Sequence, residues 1–281
     1  MFRVDIKRRI KCGITGHTGT IGKSIIKKNK KKIKFIFFKG NIIKKKEVEK
    51  WIKNNNFKYL IHLAAIVPIR EVNKNKNKAF KVNTIGTSNL VKSIMKEENN
   101  IDWLFFASTS HVYSSSKKKI KENFTTKPIS FYGKTKFLAE KELKLLKKKK
   151  IKVCIGRIFS TANNSQRTNY LVPDLKKKIK KTKKTIVLEN LNHFRDFISI
   201  KDISKIIIHM LKNRVNGIFN ISSSKKIRLT KIAEIISVYY KKKIVFKLNK
   251  NPSYLVGNNQ KLRQIYKKKI NENLKQIVFN D

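Results

Sequence analysis

The chain has 281 residues, 40% of them hydrophobic, and carries 69 Lys and Arg against 17 Asp and Glu, a formal charge of +52. That length can bury one large core or a core with an appended lobe, and its two cysteines, Cys12 and Cys154, lie far apart in apolar runs, which excludes a disulfide framework and implies reduced thiols. No apolar stretch is long enough to span a bilayer and MFRVDIKRRI lacks the apolar region of a signal peptide, so the expectation is a soluble, unprocessed, cytoplasmic protein with no membrane partner.

In chain order, short β-branched or aromatic runs predict strands at 10–15, 33–38, 58–63, 102–107, 151–156 and 217–221. Longer charged segments between them predict helices at 20–29, 46–55, 79–96, 131–147 and 201–212, the third with Val82, Ile85 and Leu90 on its apolar face. This alternation is that of βαβ units and a parallel sheet. The segments 160–197 and 222–281 interrupt it, and are expected to fold together as a smaller lobe over the carboxyl ends of the strands, where open α/β sheets bind ligands. Lys-rich runs at 27–34, 44–46, 117–121, 147–150, 176–184, 241–243 and 267–269 are spread along the chain. Nucleic-acid binders concentrate charge on one stripe with interleaved aromatics, so here nucleic acid is expected to bind only non-specifically.

Three segments carry chemistry. In KCGITGHTGTIG, a strand runs into glycines at 16, 19 and 22 before a helix, a turn that lets backbone N–H groups and a helix N-terminus approach a pyrophosphate. In FFASTSHVY, an apolar strand ends in hydroxyls, Ser108, Thr109 and Ser110, which either aim at a substrate or satisfy backbone groups. In FYGKTKFLAEKEL, Tyr132 and Lys136 stand four residues apart, so on a helix they share a face. An ammonium beside a phenol lowers its pKa from about 10 and makes it a usable acid or base near neutral pH.

Together with IHLAA at 61–65, VNTIGTSNLV at 82–91, RIF at 157–159, HFRDFISIKDIS at 193–204, GIFNISS at 217–223 and the late NPSYLVGNNQKLRQI, these segments resemble the extended short-chain dehydrogenase/reductases, the NAD-dependent epimerase/dehydratase family that acts on nucleotide sugars. The resemblance implies a Rossmann-type doubly wound parallel sheet with a small C-terminal substrate lobe, residues 1–159 and 198–221 forming the NAD(P)-binding domain and 160–197 and 222–281 the lobe. It implies that Gly16, Thr18, Gly19, Thr20 and Ile21 hold the cofactor phosphates, that Lys39, Asn41 and Ile42 follow the second strand near the adenosine, and that Leu63, Ala64 and Ala65 flank the cofactor ribose. It further implies that Asn83 steadies the site, that Tyr132 is the acid/base with Lys136 lowering its pKa and binding the nicotinamide ribose, and that Thr109 holds the sugar oxygen. Ser160 and Arg195 would contact the nucleotide diphosphate, Arg195 as a planar bidentate donor. The alternative for Arg195 is a surface pair with Asp196. No metal is implied, and a homodimer is compatible with the family.

The chain departs from the family pattern at several points. FFKGNII lacks the acidic residue after the second strand that selects NAD, and Lys39 could instead meet a 2′-phosphate. Ser160 replaces an asparagine and Ser114 a glycine. Where sugar dehydratases carry an Asp-Glu pair before Val-Tyr, this chain has Ser110 and His111, which disfavours dehydration and leaves His111 either to protonate a sugar carbon or to pack. The reading is an NAD(P)-dependent nucleotide-sugar epimerase or 4-keto reductase. The rival is a non-catalytic Rossmann-fold protein that binds RNA or another polyanion through its basic surface.

Overall fold

The computed structural model describes residues 9–98, 100–162, 166, 169–248 and 250–279; the parts of the expected domains at 1–8, 99, 163–165, 167–168, 249 and 280–281 lie outside these. Six strands form one parallel sheet: β1 (Ile10–Thr15), β2 (Ile33–Phe37), β3 (Tyr59–His62), β4 (Trp103–Thr109), β5 (Lys152–Ile158) and, after two short strands of the lobe, β8 (Gly217–Ile221). Their spatial order is β2-β1-β3-β4-β5-β8. The chain moves to one side from β1 to β2 and then to the other side from β3 onward, so the crevice between the carboxyl ends of β1 and β3 is the topological switch point. All six expected strands form, with ends displaced by two residues at most.

The sheet is covered on both faces, which is why its strands read as nearly continuous apolar runs. Alternate residues of β4 serve two different cores: Trp103 and Phe105 pack with Cys12, Ile14, Ile61 and Ile207 on one face, and Leu104 and Phe106 with Leu60, Val91, Ile94 and Ala139 on the other. The first face is covered by α1 (Thr20–Asn29) and α8 (Ile200–Lys212), the second by α2 (Lys45–Lys53), α5 (Gly86–Lys96) and α6 (Phe131–Glu142). The expected helix at 79–96 is in fact interrupted: α3 (Ile69–Lys74) and α4 (Lys76–Phe80) lead into a π-helical turn at Lys81–Ile85 before α5 begins. The expected helix 131–147 tightens into 3₁₀ geometry at Leu143–Lys149.

The lobe was the least legible part. It contains α7 (Leu171–Lys181), α9 (Leu229–Tyr240), α11 (Leu274–Phe279) and two small sheets. In one, β6 (Thr185–Glu189) pairs in parallel with β10 (Lys243–Lys247); in the other, β7 (Phe194–Arg195) lies between β9 (Ile227–Arg228) and β11 (Tyr254–Leu255). A separate core joins its two chain segments through Val172, Leu175, Leu188, Ile232, Ile236 and Ile277. A last helix, α10 (Gln260–Ile265), returns to the sheet, placing Leu262, Tyr266 and Ile270 in the first core.

One buried carboxylate ties lobe and sheet. Asp196 is fully buried and accepts from the Ser223 amide (2.8 Å) and hydroxyl (2.7 Å), the Ser224 amide (2.8 Å) and the Gly257 amide (3.2 Å), thereby clamping β7 to the loop after β8 and to the chain after β11. Removing it would strand four donors in an interior where each unsatisfied group is costly. Asp196→Ala should therefore lower the unfolding free energy by about 3 kcal/mol, read as a lower urea midpoint, with Asp196→Asn intermediate.

Candidate active site

The end of β1 builds the first wall. Gly16 has φ +69°, and a Cβ there would stand 2.6 Å from the Ala64 nitrogen and 2.7 Å from the Leu63 carbonyl carbon, so the turn can press against the end of β3 only without a side chain. Thr15, just before it, accepts the Ala64 amide (3.2 Å) and bonds His62 Nδ1 (2.6 Å), while His62 Nε2 lies 3.0 Å from the Thr87 hydroxyl. Burial, with the Lys136 charge nearby, pulls His62 down to about 3, so it is a neutral strut between β1, β3 and α5. Helix α1 then starts at Gly19 with no side chain capping it and no acidic residue in its first turn. Its amide dipoles, in a turn bare of side chains at 16, 19 and 22, fit a pyrophosphate.

The second wall comes from β4 and α6. Thr109 ends β4 and accepts the His111 amide (3.3 Å), opening a 3₁₀ turn over Ser110–Val112. Ser130 caps α6 by accepting the Gly133 amide (3.1 Å), and its hydroxyl lies 3.3 Å from His111 Nδ1. A Cβ on Gly133 would stand 2.0 Å from the His111 carbonyl oxygen, so α6 reaches this turn only because residue 133 is glycine. Tyr132 is thereby set beside Thr109 at the cavity wall, near enough for the Thr109 hydroxyl to favour the ionised phenol. One turn on, Lys136 is buried with its Nζ 3.9 Å from the centre of the Phe106 ring. Asn83, in the π-helical turn, holds both backbone groups of Ile66 (2.8 and 3.0 Å) and the Thr135 hydroxyl (3.1 Å), linking the loop after β3 to α6.

The two walls and the lobe enclose a cavity of about 500 Å³, within the usual range for a small-molecule site. Of the expected residues, Gly16, Gly19, Thr20, Ile21, Leu63, Ala65, Thr109, His111, Tyr132, Ser160 and Arg195 line it. Thr18 is exposed on the turn, Ala64 backs it, and Lys136 and Asn83 lie buried behind the wall. Lys39, Asn41 and Ile42 do not line this cavity: Lys39 is exposed beyond β2, the Asn41 amide is taken by Glu47 (2.6 Å), and Ile42 is buried against Gly86 with its carbonyl held by Asn89 (3.2 Å). Arg195 makes no pair with Asp196, since neighbouring strand residues face opposite ways; it donates instead to the Phe194 and Ser253 carbonyls and the Ser253 hydroxyl (2.8, 3.0 and 2.9 Å).

The charge states differ from the simple expectation for a Tyr–Lys pair. Burial pushes the Tyr132 phenol up, Tyr170 adds to this, and the Thr109 hydroxyl pulls it back. Lys136 is itself drawn down to about 7 by burial, against the opposing carboxylate of Glu140. Burial and the Arg195 charge hold His111 down at about 4, so it is neutral at physiological pH. The residues that the sequence reading passed over are His62, Glu140, Arg157 and Tyr170. Glu140 follows Lys136 by four positions on the same helix face, a spacing visible in the sequence.

His62 gives a pH test. Its folded pKa is depressed, so below about 6.5 the unfolded chain takes up a proton that the folded chain refuses, and this contribution to stability is lost as pH falls from about 6.5 toward 3. Relative to the parent, His62→Gln should flatten the loss of unfolding free energy between pH 6 and 4.5 by about 1.4 kcal/mol per pH unit, as measured by urea titrations at each pH.

Comparison with known proteins agrees with this geometry. Residues 12–222 match the NAD dependent epimerase/dehydratase family. The GDP-6-deoxy-D-talose 4-dehydrogenase of Aggregatibacter actinomycetemcomitans is 28% identical over 211 residues, 73% of this chain and 71% of that protein. The UDP-glucose 4-epimerase of Mycoplasma genitalium is 27% identical over 89% of this chain and 82% of its own length. Among solved structures, RMD from Pseudomonas aeruginosa complexed with NADPH superposes with a TM-score of 0.86 at 16% identity, covering 96% of both chains, which speaks for the fold. With the family's motifs in order along the sheet and a matching fold throughout, the chain belongs to the NAD dependent epimerase/dehydratase family.

Proposed function

We propose that the protein is an NAD(P)-dependent nucleotide-sugar epimerase or 4-keto reductase with Tyr132 as its acid/base. The observation that carries this reading is that the Thr109–Tyr132 pair opens on the same cavity as the uncapped start of α1, with Arg195 on the lobe side. The two relatives, a GDP-6-deoxy-D-talose 4-dehydrogenase and a UDP-glucose 4-epimerase, both act at position 4 of a nucleotide-activated sugar, which supports this reading. Dehydration would need a further acid and base, and among the described residues lining the cavity the one carboxylate is Asp174, engaged by Arg70 (3.2 Å) and Lys178 (3.1 Å).

In this reading the turn from Gly16 to Ile21 binds the cofactor diphosphate through backbone amides, and Leu63 and Ala65 flank the adjoining ribose. A bound nicotinamide supplies or accepts the hydride at the sugar carbon. Thr109 orients the sugar oxygen against the Tyr132 phenol. The neutral phenol, which burial favours, is the form that donates a proton to that oxygen during reduction. In the oxidising direction Tyr132 takes this proton back, and Lys136, one turn away, is the cation placed to stabilise the phenolate that must do so. Arg195, already oriented by Ser253, presents its guanidinium to the diphosphate of the sugar nucleotide.

Turnover tests the acid/base role: Tyr132→Phe should reduce kcat by about 10²–10⁴-fold with cofactor affinity little changed, and full retained activity would remove Tyr132 from the mechanism. Cofactor choice follows from the missing carboxylate after β2. NADPH should bind at least as well as NADH, and Lys39→Asp should shift the preference toward NADH. Isothermal titration of both nucleotides decides this, a strong native NADH preference untouched by the substitution being the contrary result.

A further inference from the structure

Helix α6 presents three polar side chains at successive four-residue steps, Tyr132, Lys136 and Glu140, and the mechanism above uses only the first two. Glu140 is held with unusual completeness for a buried acid. Its Oε1 accepts from Arg157 Nε (3.1 Å) and from the Ser108 hydroxyl, and its Oε2 accepts from Arg157 Nη2 (2.8 Å), the two side chains being 6% and 4% exposed. Arg157 is fixed in turn: its Nη1 donates to the Tyr113 hydroxyl (2.8 Å) and the Glu122 carbonyl (3.2 Å), and Tyr113 donates to Asn220 (2.8 Å). A chain of bonds thus runs from β8 through β5 and the end of β4 into the helix that carries the acid/base pair.

We propose that Glu140, clamped by Arg157 and Ser108, is a positioning residue that keeps Lys136 charged beneath Tyr132, with Arg157 setting how much of the carboxylate's charge reaches the lysine. This rests on the acid/base reading of Tyr132 and Lys136. The groups that face Lys136 are few. On α6 they are Tyr132 one turn before it and Glu140 one turn after; from β3 there is His62, which is neutral; from β4 the Phe106 ring; and behind Glu140 stand Ser108 of β4 and Arg157 of β5. Burial works against the ammonium, and Glu140 is the group that opposes it. A carboxylate one helical turn away on the same buried face favours the charged form, and a guanidinium bound to it weakens that influence without removing it. The pair is costly to bury, and a merely structural pair could be replaced by apolar packing. Its place one turn below Lys136 gives it a second use.

The two halves of the pair have opposite expected effects on Lys136, which separates this role from a structural one. In full-length protein labelled with ¹³C-lysine, the Cε signal that titrates near neutral pH is assigned to Lys136 by its loss in Lys136→Met. Glu140→Gln should move its midpoint down by about one pH unit, and Arg157→Gln should move it up. Since breaking a buried pair can prevent folding, the double variant Glu140→Gln/Arg157→Gln, which leaves neither half of the pair behind alone, should also titrate below the parent, and circular dichroism checks each fold. Glu140→Asp should restore most of the parent midpoint. Midpoints that stay put in the double variant, or that move the same way in both single variants, overturn the proposal. The lysine titration needs no substrate, so it decides this point even where no nucleotide sugar is turned over and the acid/base reading itself fails. Where turnover is seen, the alkaline limb of kcat should move down with the Lys136 midpoint in Glu140→Gln.

Discussion

Gly133 allows the first turn of α6 to rest on the carbonyl of His111, at a distance no side chain could share, and the geometry of the site follows from that contact. Were the helix held off by even a methyl group, Tyr132 would leave the Thr109 hydroxyl, and the 3₁₀ turn that carries His111 would lose its support from Ser130. The same approach lets Asn83 reach Thr135, so the loop after β3, which borders the glycine-rich turn, is set by where α6 lies. Gly16 does for β1 and β3 what Gly133 does for β4 and α6. Two backbone contacts, each open only to glycine, therefore fix the two walls of the cavity relative to the sheet.

Placing a helix this close to a sheet buries its polar face, and the consequences appear in the charges. Lys136 loses water and gains the face of the Phe106 ring, whose quadrupole recovers only part of the lost hydration. The phenol is kept neutral by the same burial. One turn further on, the buried Glu140 carboxylate is met by two parallel N–H groups of Arg157. The interior beneath the site is thus a graded series, a phenol pushed toward its neutral form, an ammonium whose pKa burial draws down and a carboxylate paired by Arg157, ordered by how many partners each side chain finds.

Much of this was legible in the sequence because it is local. The strands of the sheet announce themselves as apolar runs, the switch at β1 as glycines, and the Tyr–Lys pair as a helical spacing. Even the neutral pair Ser110 and His111 in place of two acids could be read directly. What the sequence hid depends on contacts between distant segments. Arg157 reads as the end of an apolar strand until Glu140, 17 positions earlier, is seen to meet it. Asp196 reads as the partner of its neighbour Arg195, yet strand alternation sends it into the interior toward residues 27 to 61 positions away. The π-helical turn around Asn83 leaves no mark in composition, since the same residues would suit an unbroken helix. The lobe was obscure for a related reason: its strands are two to five residues long and its core is shared between segments separated by β8 and α8.

The surplus of lysine takes its meaning from how the few acids are used. Of 17 Asp and Glu, Glu140, Asp196 and Asp202 are buried in fixed hydrogen-bonding roles, so even fewer remain to face the 69 cations. Exposed ion pairs form both between near neighbours, such as Lys44 with Glu47 or Lys231 with Glu234, and between distant segments, such as Lys225 with Glu272, and at the surface each contributes little. The folded chain therefore carries a large positive self-repulsion that extended forms would relieve. An anionic ligand bound between sheet and lobe would offset part of that repulsion at the place where the two packing units meet, and so would stabilise the fold by more than its local contacts provide. That additional share acts over distances beyond the screening length of about 8 Å at physiological salt, whereas the amides of the glycine-rich turn and the Arg195 guanidinium act at contact. Salt should thus erode the first contribution and leave the second, so for such a ligand the cavity's own chemistry would set which anion is kept and the lysine surface mainly how readily it arrives.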